Sequence, residues 1–266
     1  MPPAASYESK WRKRSAMLKR YDGTFAFQTD PGRVRINNED QAKALINADG
    51  DVLLIVCDGM GGQNKGDFAS KMAIDSISDS FRKAKTGIPL FFKKRNFERA
   101  VKLANSQIFD EADRNPVYTG MGTTVCAAMI VKNKIILINI GDSRAYLAVG
   151  DRMKRITSDQ TYVNYLYRTG KISREETESR PDRHVLMNAL GIFPSLSMDV
   201  NVIEYHGERI LLCTDGLYNN VSEPEISAIL ATDERVDQKV VSLIGTANAN
   251  GGSDNIGVAY WEALHD

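Results

Sequence analysis

The chain has 266 residues, 42% hydrophobic and 26% charged, which excludes an intrinsically disordered polymer and suffices for a substantial core. Lysine plus arginine (34) balances aspartate plus glutamate (34), so there is no basic excess of the kind that neutralises a nucleic-acid backbone, and no nucleic-acid partner is expected. No stretch approaches the ~20 apolar residues that span a bilayer, so no membrane span is expected.

Residues 1–22 carry a basic cluster (Lys10, Arg12, Lys13, Arg14, Lys19, Arg20) with no apolar run behind it. They read as an N-terminal extension and not as a signal peptide. A single domain is expected over 23–266. Strand character begins near Thr24. Gln41 to Ile46, the turn Asn47-Ala48-Asp49-Gly50, and Val52 to Cys57 read as a hairpin. Ala69, Met72, Ala73, Ser76, Ile77, Ser80 and Phe81 recur at helical spacing. A second helix is predicted over about Lys94 to Arg114, with Lys85 to Lys93 as a loop because it contains Gly87 and Pro89.

Four strands follow: Thr123 to Val131, Lys134 to Ile140, Arg144 to Val149 and Arg152 to Ile156. Their short turns predict an antiparallel meander. Residues 158–191 are polar and read as an exposed, partly helical insertion. Asp199 to Tyr205 and Glu208 to Thr214 read as a strand pair around His206-Gly207. Ser222-Glu223-Pro224-Glu225 is a capping box that starts a helix. Another helix is predicted over about Asp237 to Ala247, and a last strand over Ile256 to Trp261. Grouped strands and helices predict an α+β fold of two packed antiparallel sheets flanked by helices. Cys57, Cys126 and Cys213 are odd in number and each lies in an apolar run. They read as buried free thiols in a reducing compartment.

The aspartates carry the chemistry. Asp58 follows Val52 to Cys57, Asp215 follows Ile210 to Thr214, Asp142 follows Ile135 to Gly141, and Asp254 stands just before the last strand. Carboxylates at strand ends are rigid yet can face solvent, and several converging repel one another unless cations lie between them. Oxygen ligands select Mg²⁺ or Mn²⁺, and His184, His206 and His265 show no zinc-ligand spacing. A single Asp-Gly after a strand is an ordinary turn. Here the pattern recurs at Asp58-Gly59 and Asp215-Gly216, and Gly59-Met60-Gly61-Gly62 is richer in glycine than a turn requires. Alternation would place Arg33 and Arg35 on one face of a short strand. An arginine there could hold phosphate oxygens bidentately or pair with Glu39 or Asp40.

Six motifs occur in order: Arg35-Ile36-Asn37-Asn38-Glu39-Asp40, Val56-Cys57-Asp58-Gly59-Met60-Gly61-Gly62, Gly122-Thr123-Thr124, Gly141-Asp142-Ser143-Arg144, Cys213-Thr214-Asp215-Gly216-Leu217 and Ser253-Asp254-Asn255-Ile256. Over residues 24–262 the chain resembles the protein phosphatase 2C family of metal-dependent protein phosphatases. Asp-Gly-Met-Gly-Gly and the stretch Arg183 to Gly191 are similar to its bacterial branch. The resemblance implies a four-layer αββα sandwich with a metal site at one end. It implies that Asp58 bridges two ions, with the Gly59 carbonyl beside it. Asp215 and Asp254 would ligate the first ion, and Glu39 and Asp40 would hold the second ion's water shell. Asp142 would ligate a third. Arg35 would bind phosphate, and residues 158–191 would form a flap that shapes substrate choice. Two or three Mn²⁺ or Mg²⁺ ions are implied, with hydrolysis of phosphoserine and phosphothreonine by activated water and no covalent phosphoenzyme. The implied partners are phosphorylated proteins, including a Ser/Thr kinase. A cytoplasmic monomer is expected.

Three departures stand out. Met60 occupies the place where several members carry a histidine proposed as general acid. Asp159-Gln160 replaces an Asp-His, and Gly257 replaces a Thr or Ser. Rival chemistries fail on the residues. The sixth residue after each cysteine is Gln63, Lys132 or Asn219, so no Cys-x₅-Arg phosphate cradle exists. Neither a Gly-Lys-Ser/Thr loop nor a Gly-Asn-His-Glu motif is present. The alternative is a non-catalytic regulatory or binding domain of the same fold. Loss of Asp58 or Asp215 would mark it, and both are present.

Overall fold

The computed structural model describes residues 21–61 and 65–264. The basic cluster at 10–20, Gly62, Gln63 and His265 lie outside the described residues.

Eleven strands form two sheets among the described residues. β1 (Gly23–Asp30), β11 (Ile256–Ala263), β10 (Arg209–Cys213), β7 (Arg144–Val149) and β8 (Arg152–Arg155) lie in that order in the first sheet. β2 (Asp40–Ile46), β3 (Val52–Met60), β5 (Val125–Val131), β6 (Lys134–Ile140) and β9 (Asp199–Glu204) make the second, with β4 (Gly122–Thr123) paired to the end of β3. Every ladder is antiparallel.

Strand periodicity explains the layers. In β3, Leu53, Ile55 and Cys57 face α1 (Lys65–Arg82) and α2 (Leu90–Arg114), while Val52, Leu54 and Val56 face the other sheet. Successive side chains point to opposite faces, so a strand covered on both sides must be apolar throughout, as this one is. On the far side, Leu211, Cys213, Val258 and Tyr260 pack against α5 (Asp215–Tyr218), α6 (Glu223–Leu230) and α7 (Val236–Ala249). Three apolar layers therefore separate four layers of structure, an α+β αββα sandwich. The three cysteines are buried and free, as their apolar settings predict.

The Asn47–Gly50 hairpin forms in the expected place, and the Glu225 carboxylate accepts from the Ser222 N–H at 3.0 Å in the predicted capping box. Several expectations fail. The second helix starts at Leu90, four residues early, because Pro89 caps it: the Phe92 and Lys93 N–H groups bond to the Pro89 carbonyl. Proline is compatible with a helix start, and Lys93 is drawn onto Asp49 and Asp51 of the β2–β3 turn. Arg33 and Arg35 lie on no strand. Gly32 adopts φ 78°, the chain turns, and the Asn255 amide ties the loop down through the carbonyls of Pro31 and Asn37.

The four-strand meander is two hairpins in different sheets, since β5–β6 belongs to one and β7–β8 to the other. β9 and β10 likewise do not pair: β9 adds to β6, and β10 joins β7 and β11. Turn chemistry is the same whether a chain folds back or crosses between layers, and burial on both faces decides which. Residues 158–191 carry two short helices: α3 (Tyr162–Arg168), which buries Val163 and Leu166, and α4 (Arg174–Ser179), which buries no side chain, so the expected exposed insertion is in part packed down.

Candidate metal centre and active site

Five chain segments converge at one end of the sandwich. Asp40 opens β2 and faces Asp58 of β3 in register. The chain crosses from β6 to β7 through Gly141, Asp142 and Ser143. β10 ends at Cys213, and Asp215 opens α5. Asp254 stands two residues before β11.

Backbone hydrogen bonds fix these ends. The Asp58 N–H donates to Thr124 Oγ1 at 2.9 Å, and the Thr124 N–H and Thr123 hydroxyl donate to the Asp58 carbonyl at 2.8 and 2.9 Å. Thr124 in turn shares a 2.8 Å hydrogen bond with Ser143 beside Asp142. The Thr214 hydroxyl donates to Asp40 Oδ2 at 2.6 Å and accepts from the Gly257 N–H at 2.7 Å. Gly257 comes so close to Thr214 that a larger residue would be crowded there.

Two glycines permit the convergence. A Cβ at Gly59 would overlap the backbone of Gly66 in α1, and one at Gly216 would overlap the Asn255 carbonyl oxygen. The requirement at both is close approach, since neither has a positive φ.

The cluster is electrostatically unbalanced. Burial raises Asp58 well above the usual carboxylate range, and the charges of Asp40, Asp215, Asp142 and Asp254 raise it further. Asp40 is raised well above its ordinary value by burial, opposed by the Thr214 hydroxyl. Burial, then Asp215 and Asp159, push Asp142 to about 7. Burial and Asp254 push Asp215 to about 6, against the pull of Arg35 and Arg144. Glu39 is raised by burial, offset by a hydrogen bond from the Gly66 N–H.

Among the described residues, no three carboxylate, imidazole or thiol side chains are drawn together tightly enough to cage an ion. Asp254 takes Arg35 Nη2 at 2.8 Å, and Asp40 takes Thr214. Repelling carboxylates spread onto whatever donors are near. The donor set fits hard divalent cations all the same: it is all oxygen, it stands on fixed strand ends, and its shared penalty is one that cations remove.

The structure thus brings Arg35, Glu39, Asp40, Asp58, Gly59, Asp142, Asp215 and Asp254 to one end. Arg35 is on an exposed loop and is paired with Asp254, not with Glu39 or Asp40.

Several supporting residues carried no role in the sequence reading. Asn255 accepts from the Glu39 N–H at 2.8 Å, joining the Arg35 loop to the Asp254 turn. Arg144 grips Asp159 with two hydrogen bonds of 3.1 and 2.7 Å and lies 3.5 Å over the Tyr218 ring. The Tyr218 hydroxyl donates to the Asp142 carbonyl at 3.1 Å. Gln160 accepts from the Gly141 N–H at 3.1 Å and from Asn188 at 3.0 Å, so it ties the Asp142 crossing to residues 158–191. His184 Nδ1 lies 3.9 Å from Asp215 Oδ2. Thr214, Arg144 and Asn255 adjoin motif aspartates, which is a usable signal. His184 lies in the stretch Arg183 to Gly191, but nothing local points it toward Asp215, 31 residues further on.

Comparison with known proteins agrees with this geometry. The family model described as protein phosphatase 2C matches residues 32–254. The serine/threonine phosphatase stp of Listeria innocua is 36% identical over 233 residues, covering 87% of this chain and 92% of the relative. The S. agalactiae serine/threonine phosphatase structure superposes with a TM-score of 0.86 at 30% identity, covering 91% of this chain and 100% of that one. The catalytic domain of the serine/threonine protein phosphatase PstP, solved with two manganese ions, gives a TM-score of 0.79 at 33% identity, covering 91% and 99%. The chain belongs to the protein phosphatase 2C family and is a metal-dependent protein serine/threonine phosphatase. Its substrates are phosphoproteins, and no described helix is long and apolar enough to cross a membrane.

Proposed function

We propose that the carboxylate end of the sandwich is the catalytic centre. It hydrolyses phosphoserine and phosphothreonine with two or three Mn²⁺ or Mg²⁺ ions. The observation that carries this reading is geometric: five chain segments bring Asp40, Asp58, Asp142, Asp215 and Asp254 to one end of the sandwich, with Asp40 facing Asp58 in register. Burial and mutual charge raise the pKa of Asp40, Asp58, Asp142 and Asp215, a penalty that a cation relieves. Asp58, the Gly59 carbonyl, Asp215, Asp254 and Asp142 would hold the ions, and Glu39 and Asp40 would hold their water shell. When bound, such ions supply Lewis acidity at the phosphoryl oxygens and a water nucleophile ionised near neutral pH.

The chain's own groups do the positioning. Thr214 keeps the buried Asp40 carboxylate in one orientation, and the Thr123-Thr124 pair keeps Asp58 at its strand end. Arg35 binds the phosphoryl group bidentately. In doing so Arg35 would exchange its ion pair with Asp254 for the phosphoryl oxygens, leaving the Asp254 carboxylate available as a metal ligand. Met60 cannot move a proton, and we assign protonation of the leaving oxygen to water in the site.

Residues 158–191 act as a flap over the centre, within one phosphatase domain spanning 23–266 and preceded by the basic extension. The enzyme works as a cytoplasmic monomer and opposes a Ser/Thr kinase. Three buried free cysteines support a reducing compartment.

The test is release of phosphate from phosphoserine and phosphothreonine peptides with Mn²⁺, with Mg²⁺ and with EDTA. Turnover is expected with either ion and none with EDTA. Undiminished turnover of metal-stripped protein would sink the proposal.

A further inference from the structure

The carboxylate centre opens on two sides that differ in chemistry. One side is charged, lined by Arg155, Asp159, Arg174, Glu178 and Arg183. The other is a cleft of about 410 Å³ in which Asp58, Asp142 and Asp215 share a wall with Met60, Leu186, Met187, Ile192 and Phe193. Phe193 and Met187 are 61% and 51% exposed, and together with Leu186, Ile192 and Met60 they group on one wall beside the carboxylates instead of lying scattered over the surface. We propose that this cleft is a subsite for a large apolar side chain next to the phosphorylated residue of the substrate. The proposal rests on the catalytic reading above.

Three observations support the assignment. The void is continuous with the carboxylates, so residues on one side of a phosphoserine or phosphothreonine bound there would lie along it, while those on the other side would face the charged opening. An extended peptide advances ~3.3 Å per residue, which brings the side chains one or two positions away into the cleft. The volume also exceeds what a phosphoryl group fills, since a water's share of liquid volume is ~30 Å³.

The apolar wall, second, is preformed. Asn105 of α2 is buried, and its side chain makes all its hydrogen bonds to the backbone of this wall. Nδ2 donates to the carbonyls of Phe193 at 3.0 Å and Pro194 at 3.4 Å, and Oδ1 accepts from the Gly191 N–H at 2.9 Å. Leu190 bridges Thr123 of β4 through two backbone hydrogen bonds of 3.1 and 2.9 Å. A buried amide spent on a loop is costly unless every bond is made, and here it fixes exposed apolar groups to the rigid core.

Third, apart from the metal-site carboxylates, His184 and Asn188, the lining of the cleft is apolar. A flanking acidic side chain would lose its hydration against Phe193, Met187 and Ile192, while an apolar one would be buried against them. Filling an apolar pocket with one more hydrocarbon group discriminates by about tenfold or more.

The experiment uses phosphothreonine peptides of equal length, with glycine, leucine or aspartate placed in turn one and two residues to either side. kcat/KM is measured with Mn²⁺ for the wild-type chain, Phe193→Ser, Met187→Ser and, as a control on an exposed apolar residue elsewhere, Phe91→Ser. We expect leucine to exceed glycine about tenfold at one position and aspartate to fall below glycine. That ratio should shrink toward one in Phe193→Ser or Met187→Ser and persist in Phe91→Ser. The ratio is read within each variant, so partial loss of folded protein does not alter it. A wild-type ratio near one at every position, with good turnover of the glycine peptide, overturns the subsite and leaves the catalytic reading standing. A preference unchanged in both cleft variants also overturns it. Absence of Mn²⁺-dependent turnover of any peptide removes the catalytic reading and the subsite with it.

Discussion

Asp58-Gly59 and Asp215-Gly216 leave buried strands toward the same cluster by different backbone routes. At Asp58 the strand runs on through Met60, and Gly59 lies against Gly66 of α1. At Asp215 the strand has already ended, a four-residue helix begins, and Gly216 lies against the Asn255 carbonyl. The aspartates differ as well. Asp58 faces four other carboxylates, whereas Asp215 has Arg35 and Arg144 pulling its pKa down. The charges that act most on Asp58 are thus all acidic, whereas those on Asp215 include two arginines beside Asp254. Equal sequence patterns can deliver equal side chains while leaving them in unequal fields.

The largest effect should come from the aspartates themselves. Asp58→Asn and Asp215→Asn should each cut metal-dependent turnover by at least about 10²–10³-fold. The metal-free proteins should separate the pair: thermal unfolding in EDTA at pH 8 should show Asp58→Asn stabilised more than Asp215→Asn. Equal shifts would break the asymmetry.

Next in size is the response of metal-free protein to pH. Asp142 and Asp215 move from an ordinary 3.8 to about 7 and about 6 on folding. The folded chain therefore holds more protons than the unfolded one. Their contribution is fully present below the unfolded value and is lost as pH rises through the folded values. Denaturant unfolding in EDTA should show stability falling between pH 4 and 7 by a few kcal/mol, at about 1.4 kcal/mol per pKa unit. Saturating Mn²⁺ should flatten that slope, and a rise in metal-free stability over the same range would contradict the cluster's electrostatics.

Smaller still are the glycines. Gly59→Ala and Gly216→Ala should each destabilise by about 1–3 kcal/mol through overpacking. Urea midpoints would show it, and a neutral Gly216→Ala would mean that the Asn255 turn yields where α1 does not. Arg35→Ala should have the least effect, raising KM for phosphopeptides about tenfold with kcat little changed. A fall in kcat at constant KM would place Arg35 in the transition state alone.

The gathering of the carboxylates was legible. The apolar strand followed by an aspartate marks a rigid carboxylate at a sheet end, and the structure brings the recurring Asp58, Asp142, Asp215 and Asp254 to the same end. Less legible was everything that depends on distant chain segments. Gly87 and Pro89 looked like a long loop, yet Pro89 starts a helix whose Lys93 meets Asp49 and Asp51. Arg33 and Arg35 looked like a strand face, yet Asn255, more than 200 residues away, holds them in a loop. Asn105 carried no reading in the sequence, because its partners lie at 191–194.

The sequence by itself determined the two-sheet α+β class, the buried thiols, most element positions and the identity of the acidic residues. These follow from periodicity and residue chemistry, which are local. Only the tertiary structure decided which hairpins share a sheet and that Arg35 pairs with Asp254. It alone decided that His184 approaches Asp215, and that an apolar wall pinned by Asn105 stands beside the carboxylates. Those facts depend on which buried faces meet, and burial on both sides of a strand is a property of the packed molecule.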